Sequence, residues 1–249
     1  MLSILIITKN EENSIGDCLK SIKDLADEII VIDSYSSDKT VETAKEYGVS
    51  ILLNRFEDFS KQRNVGFDSS KGDWILYLDA DEEATEEFNK EIKKTIKDFD
   101  PTCRYGGYYV RRKTYFLNKD WDYSDKVQRL FYRKSFRGWS GMLHETPRVQ
   151  GEFGEISSPI LHFTHKNLSQ MLEKTNEWSD YEADLRIKAK HPKMNILRFI
   201  RVIGTGFLDS YVKQNGYKNG TKGFIESMYQ AFSLFITYAK LWEKQEMKK

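Results

Sequence analysis

Two carboxylates, Asp79 and Asp81, stand one residue apart after the apolar run Trp74-Ile75-Leu76-Tyr77-Leu78. A short continuous apolar run suits a strand buried on both faces of a parallel sheet. Side chains two apart on extended backbone point the same way. The two charges therefore repel unless something positive lies near them. A divalent cation carrying a diphosphate meets that need, because Mg²⁺ is usually held by one or two carboxylates plus substrate phosphates. The plainer alternative is that the pair only caps the helix that follows.

The elements that must position this pair are legible in the first hundred residues. Leu2 to Ile7 is a strand, and Ile15, Cys18, Leu19 and Ile22 mark a helix at i, i+3, i+4, i+7 spacing. Glu28 to Asp33 is a second strand. Ser37 or Asp38 can cap the next helix, which Gly48 stops. Val49 to Leu53 is a third strand, and a polar helical stretch, Lys61 to Phe67, leads to the central strand. After Asp81, Thr85 caps an amphipathic helix through Phe88, Ile92 and Ile96, ended by Pro101. Strands alternating with helices predict an α/β fold with a parallel sheet and right-handed crossovers.

In such sheets ligands gather at the carboxyl ends of the strands. The first strand ends in Thr8-Lys9-Asn10-Glu11-Glu12, the second in Asp33-Ser34-Tyr35-Ser36-Ser37-Asp38-Lys39-Thr40. No G-x-G-x-x-G follows the first strand and no G-x-x-x-x-G-K-[ST] occurs. Both absences argue against a dinucleotide dehydrogenase and a P-loop NTPase. Beyond Gly106 the pattern changes. Tyr108 to Leu117, Val127 to Tyr132 and Ile160 to His165 read as strands, and Trp139 to Pro147 as a loop. Asn167 or Ser169 opens a long helix through Leu172, Trp178 and Leu185. With no clean linker, residues 1–165 are read as one domain and 166–249 as a helical extension.

The 249 residues carry a formal net charge of +1, which gives no field for nucleic acid. Cys18 and Cys103 have no metal-type spacing and form no disulfide framework, which suits a reducing, cytoplasmic compartment. Met1 runs straight into the first strand without a basic leader or cleavage site, so no signal peptide is read. No apolar run reaches the length of a membrane span.

Three ordered segments resemble family 2 inverting glycosyltransferases. They are Ile6-Ile7-Thr8-Lys9-Asn10-Glu11-Glu12, Val31-Ile32-Asp33-Ser34-Tyr35-Ser36-Ser37-Asp38-Lys39-Thr40 and Leu78-Asp79-Ala80-Asp81-Glu82. The nearest subgroup resembles the lipopolysaccharide-core β-glucosyltransferases. The resemblance continues more weakly through Trp139 to Glu145, His162 and Gly216 to Trp242. It implies a GT-A fold, a Rossmann-like, mostly parallel sheet flanked by helices. It also implies transfer of a hexose from a UDP-sugar to a glycan or lipid-linked acceptor in cell-envelope synthesis.

The resemblance places Thr8, Asn10, Glu11 and Ser36 around the nucleotide. Asp33 would meet the base or ribose, or instead cap its own turn. Lys61 or Arg63, beside Asn64, would reach the diphosphate or sugar, or line a solvated helix face. Asp79 and Ala80 would face the ribose or sugar. Asp81, with Asp79 and His162, would hold Mg²⁺ or Mn²⁺, where the cation takes up leaving-group charge. Inversion needs a base for the acceptor hydroxyl. Many members carry Glu-Asp where this chain has His144-Glu145, which leaves Glu145 and His144 both open. Trp121 and Trp139 would stack on a sugar or simply pack.

Phe224, Ile225, Met228, Tyr229, Phe232, Phe235, Ile236, Ala239 and Trp242 form a wide helical stripe. Between Leu185 and Gly223 there are nine Lys or Arg and one acid, Asp209. The extension is read as a helical hairpin packed on the core or in a homodimer. The other reading is a peripheral contact at the inner face of the cytoplasmic membrane. Two other functions share the sheet: a sugar nucleotidyltransferase, which the Gly-free acidic loop after the first strand disfavours, and a non-catalytic nucleotide-binding scaffold.

Overall fold

The computed structural model describes residues 1–117, 119–142, 145–165 and 167–247, without the side chains of residues 122 and 165. The chain forms two compact units. One holds Met1–Lys113 and Ser124–Phe163, the other Thr114–Tyr123 and Thr164–Lys249. The helical unit thus also takes in ten residues from the middle of the chain, a division that composition does not signal.

The larger unit is built on β1 (Leu2–Thr8), β2 (Glu28–Asp33), β3 (Ser50–Leu53) and β4 (Trp74–Asp79), with α1 (Ile15–Ile22), α2 (Thr40–Glu46) and α3 (Phe59–Ser69) between them. β5 (Glu82–Ala84) and α4 (Glu86–Lys97) follow. Then come β6 (Tyr105–Phe116), β7 (Lys119–Tyr132), β8 (Phe136–Ser140), β9 (Thr146–Val149) and β10 (Glu152–His165). The large sheet has the order β3-β2-β1-β4-β7-β6-β10-β5, and β8 pairs with β9 separately. Parallel pairing links β3, β2, β1 and β4, and β7 then joins β4 antiparallel. The expected α/β architecture is the one observed.

Alternation along the central strands sorts the core into two layers. Ile4, Ile6, Leu76 and Leu78 face α1 and α4 through Ile15, Leu19, Phe88 and Ile92. Leu5, Ile75 and Tyr77 point the other way, onto Phe131, Phe136 and Trp139. Thr85 caps α4 by accepting from the Phe88 N–H at 3.1 Å, as its sequence predicts.

Several readings are corrected. Glu82–Ala84 is a strand paired antiparallel with β10, not the approach to a helix. The polar stretch before Val127 is the first half of β7. The ends of the segment Trp139–Pro147 belong to β8 and β9 and pair with each other. Trp139 is buried against Tyr77, Phe131 and Phe136 and Trp121 against Phe116, so both pack rather than present a face to a sugar.

The second unit contains α5 (Leu168–Lys188), α6 (Ile196–Leu208) and α7 (Gly220–Met247). A π-type turn, Asp209–Lys213, and a 3₁₀ turn, Gly216–Asn219, join α6 to α7. Gly204 and Gly206 do not interrupt α6. Asn167 caps α5 by accepting from the Gln170 N–H at 2.9 Å. Polar contacts tie α5 to α7: Tyr229 Oη donates to the Met171 carbonyl at 2.7 Å, and Lys240 and Lys244 pair with Asp180 and Asp184, each at 2.7 Å.

The face that α7 buries is not the expected apolar stripe. Gly223, Ser227 and Ala231, spaced i, i+4, i+8, lie inside, while Phe224, Met228, Phe232, Phe235 and Trp242 are exposed. Gly223 shows why. A Cβ there would sit 1.7 Å from the Gly216 carbonyl oxygen, so only glycine allows the helix to approach so closely.

Glu226, 7% exposed, lies on the buried side of α7. Its Oε1 accepts from Gln230 Nε2 at 2.6 Å, and its Oε2 has no hydrogen-bond partner. Burial pushes its carboxyl up to about 7. A carboxyl raised in the folded state leaves stability intact below its unfolded value of 4.5 and costs stability as pH rises to about 7. Glu226→Gln should therefore gain stability over the parent above about pH 7, by at most about 3 kcal/mol, and gain nothing near pH 4. Urea denaturation at the two pH values checks this, and equal gains at both would contradict it.

Candidate active site

Register brings the polar strand ends together. Thr8 lies opposite Asp33 across β1 and β2, and Ile7 opposite Asp79 across β1 and β4. Thr8 is buried, and its Oγ1 has no hydrogen-bond partner. Beyond these ends the two loops are stitched together. The Asn10 N–H donates to Ser36 Oγ at 2.9 Å, Asn10 Oδ1 accepts from the Ser37 N–H at 2.9 Å, and the Glu11 N–H donates to Thr40 Oγ1 at 2.7 Å. Asn10 and Tyr35 both take the left-handed conformation, at φ +53° and +60°. Asp33 is fully buried and accepts from both the N–H and the hydroxyl of Ser36. Its carboxylate closes its own turn, the capping arrangement that its sequence allows.

α3 positions the next group. Asp58 caps it through the Lys61 N–H at 2.8 Å. Lys61 is exposed and pairs with Glu57 one turn away, on a solvated face. Arg63 is buried. Its Nη2 lies 3.0 Å from Asp79 Oδ1 and its Nε 3.7 Å from Glu145 Oε1. Its guanidinium carbon lies 5.2 Å from the Trp139 ring centroid and 5.6 Å from that of Tyr77. Arg63 Nε and Nη1 are buried without a hydrogen-bond partner.

Asn64 clasps the β8 backbone, accepting from the Trp139 N–H at 2.8 Å and donating to the Trp139 carbonyl at 3.0 Å. Gly138, at φ +86°, makes room, since a Cβ there would meet Asn64 Oδ1 at 2.7 Å. Ser60 Oγ donates to the Gly141 carbonyl at 2.5 Å. One helix thus grips the segment that leads to Glu145. His144 lies outside the described residues.

Asp79 and Asp81 have different surroundings. Asp79 accepts from Arg63 and from Arg129 of β7. Glu82, fully buried, accepts from Arg129 Nη2 and from the Asp79 N–H, each at 2.9 Å, and lies 3.5 Å from Arg112 Nη1. Arg112 in turn makes a two-point pair with Asp125, at 3.0 and 2.6 Å. Burial alone would raise the Asp79 carboxyl, but Arg129 and Arg63 hold it well below the usual carboxylate range. Asp79 oxygens are thus taken up by guanidinium groups. Ala80 is buried beside them.

Asp81 Oδ2 lies 3.5 Å from His162 Nε2 on β10, and both side chains are partly buried. His162 Nδ1 is buried with no hydrogen-bond partner. Burial works against the charged imidazole, but Asp81 and Glu82 raise its pKa above the ordinary histidine value. Among the described residues no cluster of three or more His, Cys, Asp or Glu side chains forms a complete metal cage. Asp81 and His162 are two adjacent ligand-type groups of the kind that bind a divalent ion together with phosphate oxygens.

Arg129, Arg112 and Glu82 are missing from the sequence reading. The signal was there: two neighbouring carboxylates require a positive partner, and Arg129 interrupts the apolar end of β7 between Val127 and Leu130.

A model of glycosyl transferase family 2 matches residues 3–149, more than half of the chain, and the chain belongs to that family. It is an enzyme of the glycosyltransferase class. A protein of Rickettsia bellii (strain RML369-C) named as an uncharacterized glycosyltransferase is 29% identical over 97% of this chain and 86% of its own length. The lipopolysaccharide core biosynthesis glycosyltransferase LpsC of Rhizobium meliloti (strain 1021) is 26% identical over 99% of this chain and 94% of its own length. Among solved structures, residues 1–349 of S. aureus TarS superpose with a TM-score of 0.46 at 14% identity, covering 100% of this chain and 92% of that one.

Among the described side chains, Arg129 is the one that donates to both Asp79 and Glu82. Removing it leaves a buried carboxylate short of its main partner, which typically costs about 3 kcal/mol or more. Arg129→Ala should lower stability by that amount in urea denaturation. A loss under about 1 kcal/mol, the level of an exposed pair, would show the network to be dispensable.

Proposed function

We propose that this glycosyltransferase moves a hexose from a UDP-sugar to a lipid-linked or oligosaccharide acceptor of the cell envelope, with inversion at the anomeric carbon. The observation that carries the reading is the position of Arg63, between Asp79 and Glu145, with two buried N–H groups that make no hydrogen bond. Guanidinium N–H groups with no hydrogen bond at the strand ends suit a diphosphate, where negative charge grows as the sugar leaves. Thr8, with its hydroxyl unpaired, and the Asn10–Ser36 loop suit the nucleoside beside it. The similarity to LpsC supports an envelope-glycan acceptor, and the UDP assignment rests on the strand-end motifs.

Asp81 and His162 are the residues that would hold Mg²⁺ or Mn²⁺, and Asp79 is left to its arginines. The ion, when bound, offsets charge on the diphosphate. In the reaction the acceptor hydroxyl oxygen bonds to the anomeric carbon as the bond from that carbon to the diphosphate oxygen breaks. The hydroxyl proton passes to the Glu145 carboxylate. Arg63 orients that carboxylate from one side and receives the leaving group on the other.

Glu145→Gln should cut kcat by about 100-fold or more with little change in the donor KM, whereas His144→Ala keeps most activity. The reverse result would move the base to His144. Asp81→Ala should lose turnover together with the metal dependence of UDP binding, read by titration calorimetry with and without Mn²⁺. Undiminished turnover in excess chelator would contradict the metal assignment.

A further inference from the structure

Much of the apolar stripe of α7 stays exposed, and α6 repeats the pattern. Ile196, Leu197 and Ile200 are 73%, 72% and 62% exposed, and Leu208 and Val212 are also exposed. On α7, Phe224 and Met228 are each 50% exposed and Trp242 48%. The two stripes meet along the seam between the helices, where Phe199 packs on Phe235 and Phe207 on Phe224, with ring centroids 5.8 and 6.2 Å apart. They form one apolar face on two packed helices. Isolated exposed apolar side chains are ordinary, but a joined face of this kind marks a contact surface.

We infer that the α6–α7 face lies in the surface of a membrane rich in anionic phospholipid. Charge selects this occupant. The stretch between Leu185 and Gly223, which carries α6 and its flanking turns, has nine basic residues and one acid. Arg201 on α6 and Lys218 in the turn before α7 are exposed, as is the Tyr217 ring beside Lys218, while exposed Lys213 pairs with Asp209. Each basic residue near an anionic bilayer strengthens binding by about fivefold, the equivalent of about 1 kcal/mol. Trp242 and Tyr217 have the amphipathic rings that settle at a lipid–water boundary. A twofold dimer through the same face would set this basic stretch against its own copy, which like charges oppose. No helix among the described residues is long and apolar enough to cross a membrane, so the contact is one of lying on the surface.

The inference stands apart from the donor assignment, because vesicle binding needs no nucleotide. The full chain should float with vesicles of phosphatidylglycerol and phosphatidylcholine in equal parts at low ionic strength. It should bind phosphatidylcholine alone at least about tenfold more weakly, and high salt should release it. Ile200→Glu combined with Phe232→Glu should weaken vesicle binding by about tenfold or more with an unchanged circular dichroism spectrum, since both side chains are exposed. Arg201→Gln combined with Lys218→Gln should weaken it by about 25-fold. Absence of flotation at low salt, or equal binding to both vesicle types, would overturn the inference. So would a stable dimer that the Ile200→Glu, Phe232→Glu variant dissociates while neither form binds vesicles.

Discussion

The site depends on one buried cation, Arg129. It reaches Asp79 at the end of β4 and Glu82 at the start of β5, and thereby closes the sharp passage between the two strands. Burial works against the charge on Arg129 and on Asp79, yet each holds the other ionised, because the opposite charge replaces the lost solvation. Glu82 also accepts from the Asp79 N–H, so the turn is fixed by side chain and backbone at once. Arg63 and Arg112 extend the same chain of charge on either side.

This network divides the labour between two carboxylates that look equivalent on paper. Asp79 is turned toward Arg63 and Arg129 and braces the passage from β4 to β5. Asp81 is turned toward His162. A site with both carboxylates free would carry two like charges; with Asp79 neutralised, the local field is set by Asp81 and by the arginines that border it.

The parallel strands, the caps at Thr85 and Asn167 and the gathering of Thr8, Asp33 and Asp79 at one sheet end were all legible in the sequence. They rest on local periodicity and on capping chemistry. β5 was not, because Glu82–Ala84 has the composition of a helix start and becomes a strand only by pairing with β10, nearly 80 residues away. The polar half of β7 escaped for the same reason. The orientation of α7 was misread because an apolar stripe is expected to face inward. Here close backbone approach at Gly223 decides the buried face, and the stripe points out. Asp33 and Asn64 show the other limit: residue type identified both as polar groups at the cleft, but only geometry shows that they brace loops.

α3 has a consequence for how this cleft can vary. Arg63 and Asn64 are successive residues, one turned to the carboxylates and the other to the backbone of β8. On the proposed assignment, the gap between the side that releases the nucleotide and the side that receives the acceptor is therefore gauged by a helix rather than by the loop between β8 and β9. On that same assignment, substitutions in the loop would retune which acceptor fits while the reach of the reaction stays the same.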